Sequence, residues 1–144
     1  MTLNTPSKTP LDKPENTTNS EYQLKQNQNL VAIGQRYTDI VWAAGLFEGE
    51  GTIYTDAARP ISRYIRMEMT DEDVMERFVN VVGYGNLIGP YHAPCRQPHH
   101  KAVWYWKVGK RIEVSRILKM FLPHFGKRRS KKAIEAITTI ENIN

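Results

Sequence analysis

Apolar residues are scattered without period over positions 1 to 36 and fall into repeating patterns from Asp39 onwards. The first stretch is built from Thr, Asn, Ser, Gln, Lys and Pro, with Leu3, Leu11 and Leu24 isolated among them. Such a segment buries too little apolar surface to offset the entropy of ordering it. Residues 1–36 are therefore expected to be a disordered or loosely attached tail, ahead of a single domain over 37–144. Ile40–Phe47 is apolar all round, interrupted only by small residues, with Thr38 or Asp39 to cap a helix and Gly49 or Gly51 to end it. A helix apolar on every face is covered on every face. One short domain can hardly surround it, so part of it is expected to meet a second copy. Gly45 and Gly49 lie one turn apart on the same side, where two helix backbones can approach closely. A neighbouring helix of the same chain would use these glycines equally well.

Beyond Gly51 the period changes to two. Ile53 and Thr55 oppose Tyr54 and Asp56; after a turn around Ala58–Pro60, Ile65, Met67 and Met69 oppose Tyr64, Arg66 and Glu68. This predicts a hairpin with one apolar face and one polar, partly aromatic face. Thr70 is placed to cap a helix that opens with Asp71, Glu72 and Asp73 and carries Met75, Phe78, Val79 and Val82 as its stripe, stopped by Gly83. Asn86–Tyr91 and Lys101–Val108 read as a second strand pair, with Trp104 and Trp106 assigned to the core. Ile112, Ser115, Ile117, Leu118, Phe121 and Leu122 mark a helix closed by Pro123, and a last helix follows Ser130 with Ile134, Ile137 and Ile140 on one side. The order predicts an α+β fold: a four-stranded antiparallel sheet with helices on one face.

The chain of 144 residues is 40% hydrophobic and 24% charged, enough for one compact domain. The single cysteine, Cys95, excludes an intrachain disulfide framework. No run is long and apolar enough to span a bilayer, and no secretory signal opens the sequence, so an intracellular, cytoplasmic protein is expected. Charge sharpens the picture. Between Lys101 and Lys132 eleven Lys and Arg stand against Glu113 alone, a local balance of +10 in a chain whose net charge is +5. Such asymmetry points to a polyanion, with nucleic acid first, although a solvated basic face has the same composition.

The segment Ala43-Ala44-Gly45-Leu46-Phe47-Glu48-Gly49-Glu50-Gly51 resembles the nonapeptide signature of the LAGLIDADG homing endonucleases, with Ala43 where that family usually has leucine. The order of elements, the strand Trp104-Tyr105-Trp106-Lys107-Val108-Gly109 and the basic run Gly126–Lys132 are similar to its single-motif members, over residues 38 to 141. The resemblance implies a homodimeric, Mg²⁺-dependent endonuclease that cuts double-stranded DNA at a pseudo-palindromic site. An intron-RNA maturase on the same fold, or a DNA-binding regulator that does not cleave, are the rival readings.

The residues support that chemistry in their own terms. Glu50 follows the carboxyl end of the buried helix, where free carbonyls and the dipole favour a cation. Its carboxylate with the Gly49 carbonyl is a hard-oxygen set suited to Mg²⁺, and two copies crossing at Ala44, Gly45, Glu48 and Gly49 would bring two such sites together. A solvent-paired Glu50 is the plain alternative. The resemblance implies that Glu48 supports the helix end. It also places Asp71 and Lys127 at the edge of the active site, with Arg129 as the alternative to Lys127. For DNA contact the strand face offers Tyr54, Asp56, Ser62, Tyr64, Arg66, Glu68, Asn86, Ile88, Tyr105 and Lys107; Lys119, Arg128 and Arg129 are candidates for phosphates. His92, Cys95, His99 and His100 match no standard zinc spacing and read as a loop.

Overall fold

The computed structural model describes residues 19–56, 58, 59, 63–92 and 101–142, and the chain divides into two units between Tyr37 and Thr38. In the first unit, Asn19–Tyr37 is helical, as the opening part of helix α1 (Asn19–Glu50). The helix expected to begin at Thr38 or Asp39 thus begins at Asn19. The stretch contains no proline and carries Gln23, Gln26, Gln28 and Gln35 with Leu24 and Leu30, both residue types being good helix formers. Leu24, Leu30, Val31, Ile33 and Tyr37 are exposed, so local propensity accounts for this helix better than burial does.

The second unit carries the rest of α1 and then β1 (Gly51–Thr55), β2 (Arg63–Met69), α2 (Glu72–Val82), β3 (Leu87–Tyr91), β4 (Val103–Val108), α3 (Arg111–Phe121) and α4 (Lys127–Glu141). All strand pairs are antiparallel, in the order β1-β2-β4-β3. The expected α+β architecture is therefore the observed one. Strand alternation sends Ile53, Ile65, Met67, Trp106 and Val108 to the helical side, where they join Phe47, Phe78, Ile117, Leu118 and Phe121 in one core.

Element ends differ in instructive ways. Asp71, not Thr70, is the N-cap of α2, and it caps through backbone geometry without a side-chain bond. Gly83 ends that helix at φ 79°, a left-handed position that favours glycine. β3 and β4 start at Leu87 and Val103, slightly inside the expected bounds. Ile112 and Ile134, assigned above to buried stripes, are 57% and 50% exposed. The α3 stripe runs instead through Val114, Ser115, Ile117, Leu118 and Phe121, and that of α4 through Ala133, Ala136, Ile137 and Ile140. Small alanines let α4 pack closely, a role that a search for large apolar residues overlooks. α4 begins at Lys127, ahead of Ser130, and Pro123 lies in a 3₁₀ turn, Leu122–His124. Among the described residues no helix is long and apolar enough to cross a membrane.

Trp106 ties the layers together. Its ring meets Phe47 and Phe78 edge-on, at centroid distances of 6.4 and 4.9 Å, and its Nε1 donates to the Tyr84 carbonyl at 2.7 Å. Trp104, by contrast, is only partly buried against the core. Trp106→Ala should cost about 3–5 kcal/mol, because it opens a cavity and leaves a carbonyl unpaired. Urea unfolding of the full chain measures the loss.

Candidate active site and nucleic-acid interface

The sheet face turned away from the helices is assembled in rows by strand register. Thr52, Arg66 and Lys107 lie opposite one another across β1, β2 and β4; Tyr54 lies opposite Tyr64; and Glu68, Tyr105 and Ile88 form a third row. The side chains are already organised. Tyr54 and Tyr64 stack at 4.6 Å, the Lys107 Nζ sits 4.1 Å from the Tyr64 ring, and the Arg66 Cζ lies 5.3 Å from that of Tyr105. Arg66 Nη2 donates to Glu68 Oε2 at 2.7 Å; both groups are over two-fifths exposed, so the pair orients Arg66 more than it stabilises the fold.

Not every expected contact residue belongs to this face. Asp56 is occupied in the hairpin turn, where its Oδ1 accepts the Ala58 N–H at 2.9 Å. Lys119 lies on α3, in the helical layer behind the sheet, and pairs with Glu141. Asn86 stands just ahead of β3. Ser62, and Cys95, His99 and His100 of the discounted zinc set, lie outside the described residues.

Glu50 is the last residue of α1 and is exposed. The chain passes directly into β1 through Gly51, where a Cβ would overlap the Phe47 ring; only glycine permits so close a passage. This junction delivers the carboxylate to the edge of the open face. There it lines a concavity of about 460 Å³ with Thr52, Tyr64, Arg66, Met67 and Glu68. Among the described residues no three His, Cys, Asp or Glu side chains gather to hold a metal. Of the two carboxylates lining the concavity Glu68 is paired with Arg66, and the Glu50 carboxylate with the carbonyls at the α1 end makes a hard oxygen set of the kind that fits Mg²⁺.

Glu48 points the other way. Its Oε1 accepts the Gly126 N–H at 2.5 Å, its Oε2 accepts Arg129 Nε at 3.3 Å, and its carbonyl accepts Arg129 Nη2 at 2.8 Å. The role of helix-end support thus falls to Glu48 with Arg129, and Arg129 is turned inward. A second concavity, of about 330 Å³, is lined by Gly51, Thr52, Ile53, Arg128, Arg129 and Lys132. Arg128 and Lys132, one turn apart on α4, are therefore the outward cations beside the Glu50–Gly51 junction. Lys127 and Asp71 line neither concavity. Thr52 was overlooked by the sequence reading, although it lies two residues beyond Glu50 with the outward parity of Tyr54.

One strip of the α1 surface is open among the described residues. Among the described residues a Cβ at Gly45 or Gly49 would meet no atom of another element within 4 Å, and Val41 is 37% exposed. Among the described residues no helix of this chain packs on these glycines. Ala44 is fully buried in the core, which removes it from this surface, and Glu48 is committed to α4.

No family model and no curated protein sequence matches the chain. Solved structures do match in fold: the chain has the fold of the homing endonucleases, whose LAGLIDADG type its nonapeptide resembles. The homing endonuclease I-CvuI in complex with its target aligns with a TM-score of 0.54 at 13% identity, covering 74% of this chain and 68% of that one. The group I intron-encoded homing endonuclease I-CeuI complexed with DNA aligns with a TM-score of 0.53 at 11% identity, covering 90% of this chain and 77% of that one.

Proposed function

We propose that this chain is a site-specific endonuclease of double-stranded DNA, acting inside the cell as a homodimer with Mg²⁺. The observation that carries the reading is the position of Glu50, an exposed carboxylate at the end of a helix open at Gly45 and Gly49 among the described residues, and beside a sheet face of aromatic and cationic rows. Two copies crossing at Gly45 and Gly49 would bring their Glu50 carboxylates together. Glu50 and the Gly49 carbonyl would hold the metal; when bound, such an ion polarises the scissile phosphate and lowers the pKa of a water. Arg128 and Lys132 neutralise the phosphates flanking the cut, and the rows from Thr52 to Ile88 meet the bases. A two-fold dimer implies a pseudo-palindromic site. An RNA maturase or a non-cleaving regulator would use the same face but would leave Glu50 without a task.

The direct test is incubation of the full chain with a randomised duplex library, with and without Mg²⁺, and sequencing of the cut ends. Uncut DNA in Mg²⁺, with binding retained, would favour the regulator.

Glu50→Gln should abolish cleavage and leave duplex affinity near wild type, because it removes ligand charge but little contact area; gel shifts in Ca²⁺ beside Mg²⁺ cleavage assays separate the two. Gly45→Leu should leave the monomer folded, since the space is open, and should disperse the dimer, which sedimentation reads. Arg66→Ala should relax preference at one symmetric pair of positions, through loss of a contact worth about 1–3 kcal/mol. Arg128→Ala should instead weaken all duplexes evenly and lower the salt slope by about one unit. Profiling of both variants over single-base changes checks the separation.

A further inference from the structure

We infer that Arg129 is a positioning residue for Glu50 and does not contact nucleic-acid phosphates. The inference rests on the endonuclease reading of Glu50. Two helix ends lack caps of their own. The last turn of α1 contains no basic residue, and the first turn of α4 contains no acid and has only Gly126 at its N-cap, without a side-chain bond. α4 moreover opens with Lys127, Arg128 and Arg129, three cations at the positive end of a helix dipole.

Glu48 and Arg129 resolve both deficits reciprocally. The Glu48 carboxylate takes the Gly126 N–H and lies at the α4 N-terminus, where negative charge is favoured. Arg129 donates to the Glu48 carbonyl, one of the acceptors that the end of α1 leaves open, and places positive charge at its negative end. The Arg129 side chain is only 17% exposed, lies 5.6 Å from the Phe47 ring, and has Nε and Nη2 engaged by Glu48. Although Arg129 lines the concavity with Arg128 and Lys132, a guanidinium held through Nε and Nη2 cannot swing out to a phosphate without releasing the end of α1. Since Glu50 lies two residues beyond the gripped carbonyl, its placement depends on this grip.

The test compares Arg129→Met and Arg129→Lys with Arg128→Ala in the full chain. Three quantities are measured: amide hydrogen exchange over Gly49–Thr52 without DNA, the salt slope of binding to a random-sequence duplex, and Mn²⁺ affinity of the protein–duplex mixture by electron paramagnetic resonance. Arg129→Met should speed exchange at the α1 end and weaken Mn²⁺ affinity about tenfold or more, as losing support for a ligand does, with an unchanged salt slope. Arg129→Lys, which retains one donor for the Glu48 carbonyl, should recover part of the Mn²⁺ affinity. Arg128→Ala should show the opposite pattern, with a lower slope and wild-type exchange. If Arg129→Met does not fold, Glu48→Gln, which keeps the shape and removes the charge, replaces it. A salt slope lowered by about one unit in Arg129→Met, or exchange at the wild-type rate, overturns the inference. Wild-type protein that binds no Mn²⁺ beside DNA would refute the metal reading of Glu50, and the exchange result would still decide whether Arg129 holds the helix end.

Discussion

The meeting of two helix termini at Glu48 and Arg129 is the constraint on which the site depends. α1 ends with carbonyls that need donors, α4 begins with N–H groups that need acceptors, and each helix supplies what the other lacks. The arrangement also explains how α4 tolerates a first turn of cations: the Glu48 carboxylate offsets charge that the helix dipole alone would oppose. Once the two ends are joined, Gly51 can pass over the Phe47 ring and β1 can start immediately after Glu50. Core, helix caps and carboxylate then share one short stretch of chain.

The fold was largely legible because its two periods are clean. Strand alternation over Ile53, Ile65, Met67 and Trp106 identified the buried face, and register then followed from the hairpin. The legible part of the site was likewise local: Glu50 after a helix, and tyrosines and Arg66 on the opposite strand parity. What the sequence concealed depends on distance along the chain. Nothing near Arg129 indicates that its partner lies 81 positions earlier, so a basic run at the start of a helix reads as uniform phosphate contacts when one of its members is structural. Ala44 was misjudged for a related reason, since its small size suits a helix crossing and a tight core equally well. The helix over Asn19–Tyr37 was concealed by its lack of an apolar stripe. Propensity without burial leaves no periodic trace.

Similarity to solved homing endonucleases at 11–13% identity shows how little of the sequence the architecture requires. Within this chain the elements with a packing or backbone reason are the helix end, the close passage at Gly51 and the alternation of the strands. Positions on the open face carry no such requirement.

Such a surface can change over generations independently of the core. Thr52, Arg66, Lys107, Glu68 and Tyr105 contribute to the outer rows while their immediate neighbours in sequence build the interior. One backbone therefore carries two nearly independent texts, one edited by folding and the other by whatever the surface touches. Exchanging a residue in the outer text rewrites a contact without disturbing the packing beneath, so a new recognition pattern can accumulate one substitution at a time, each intermediate remaining a folded protein.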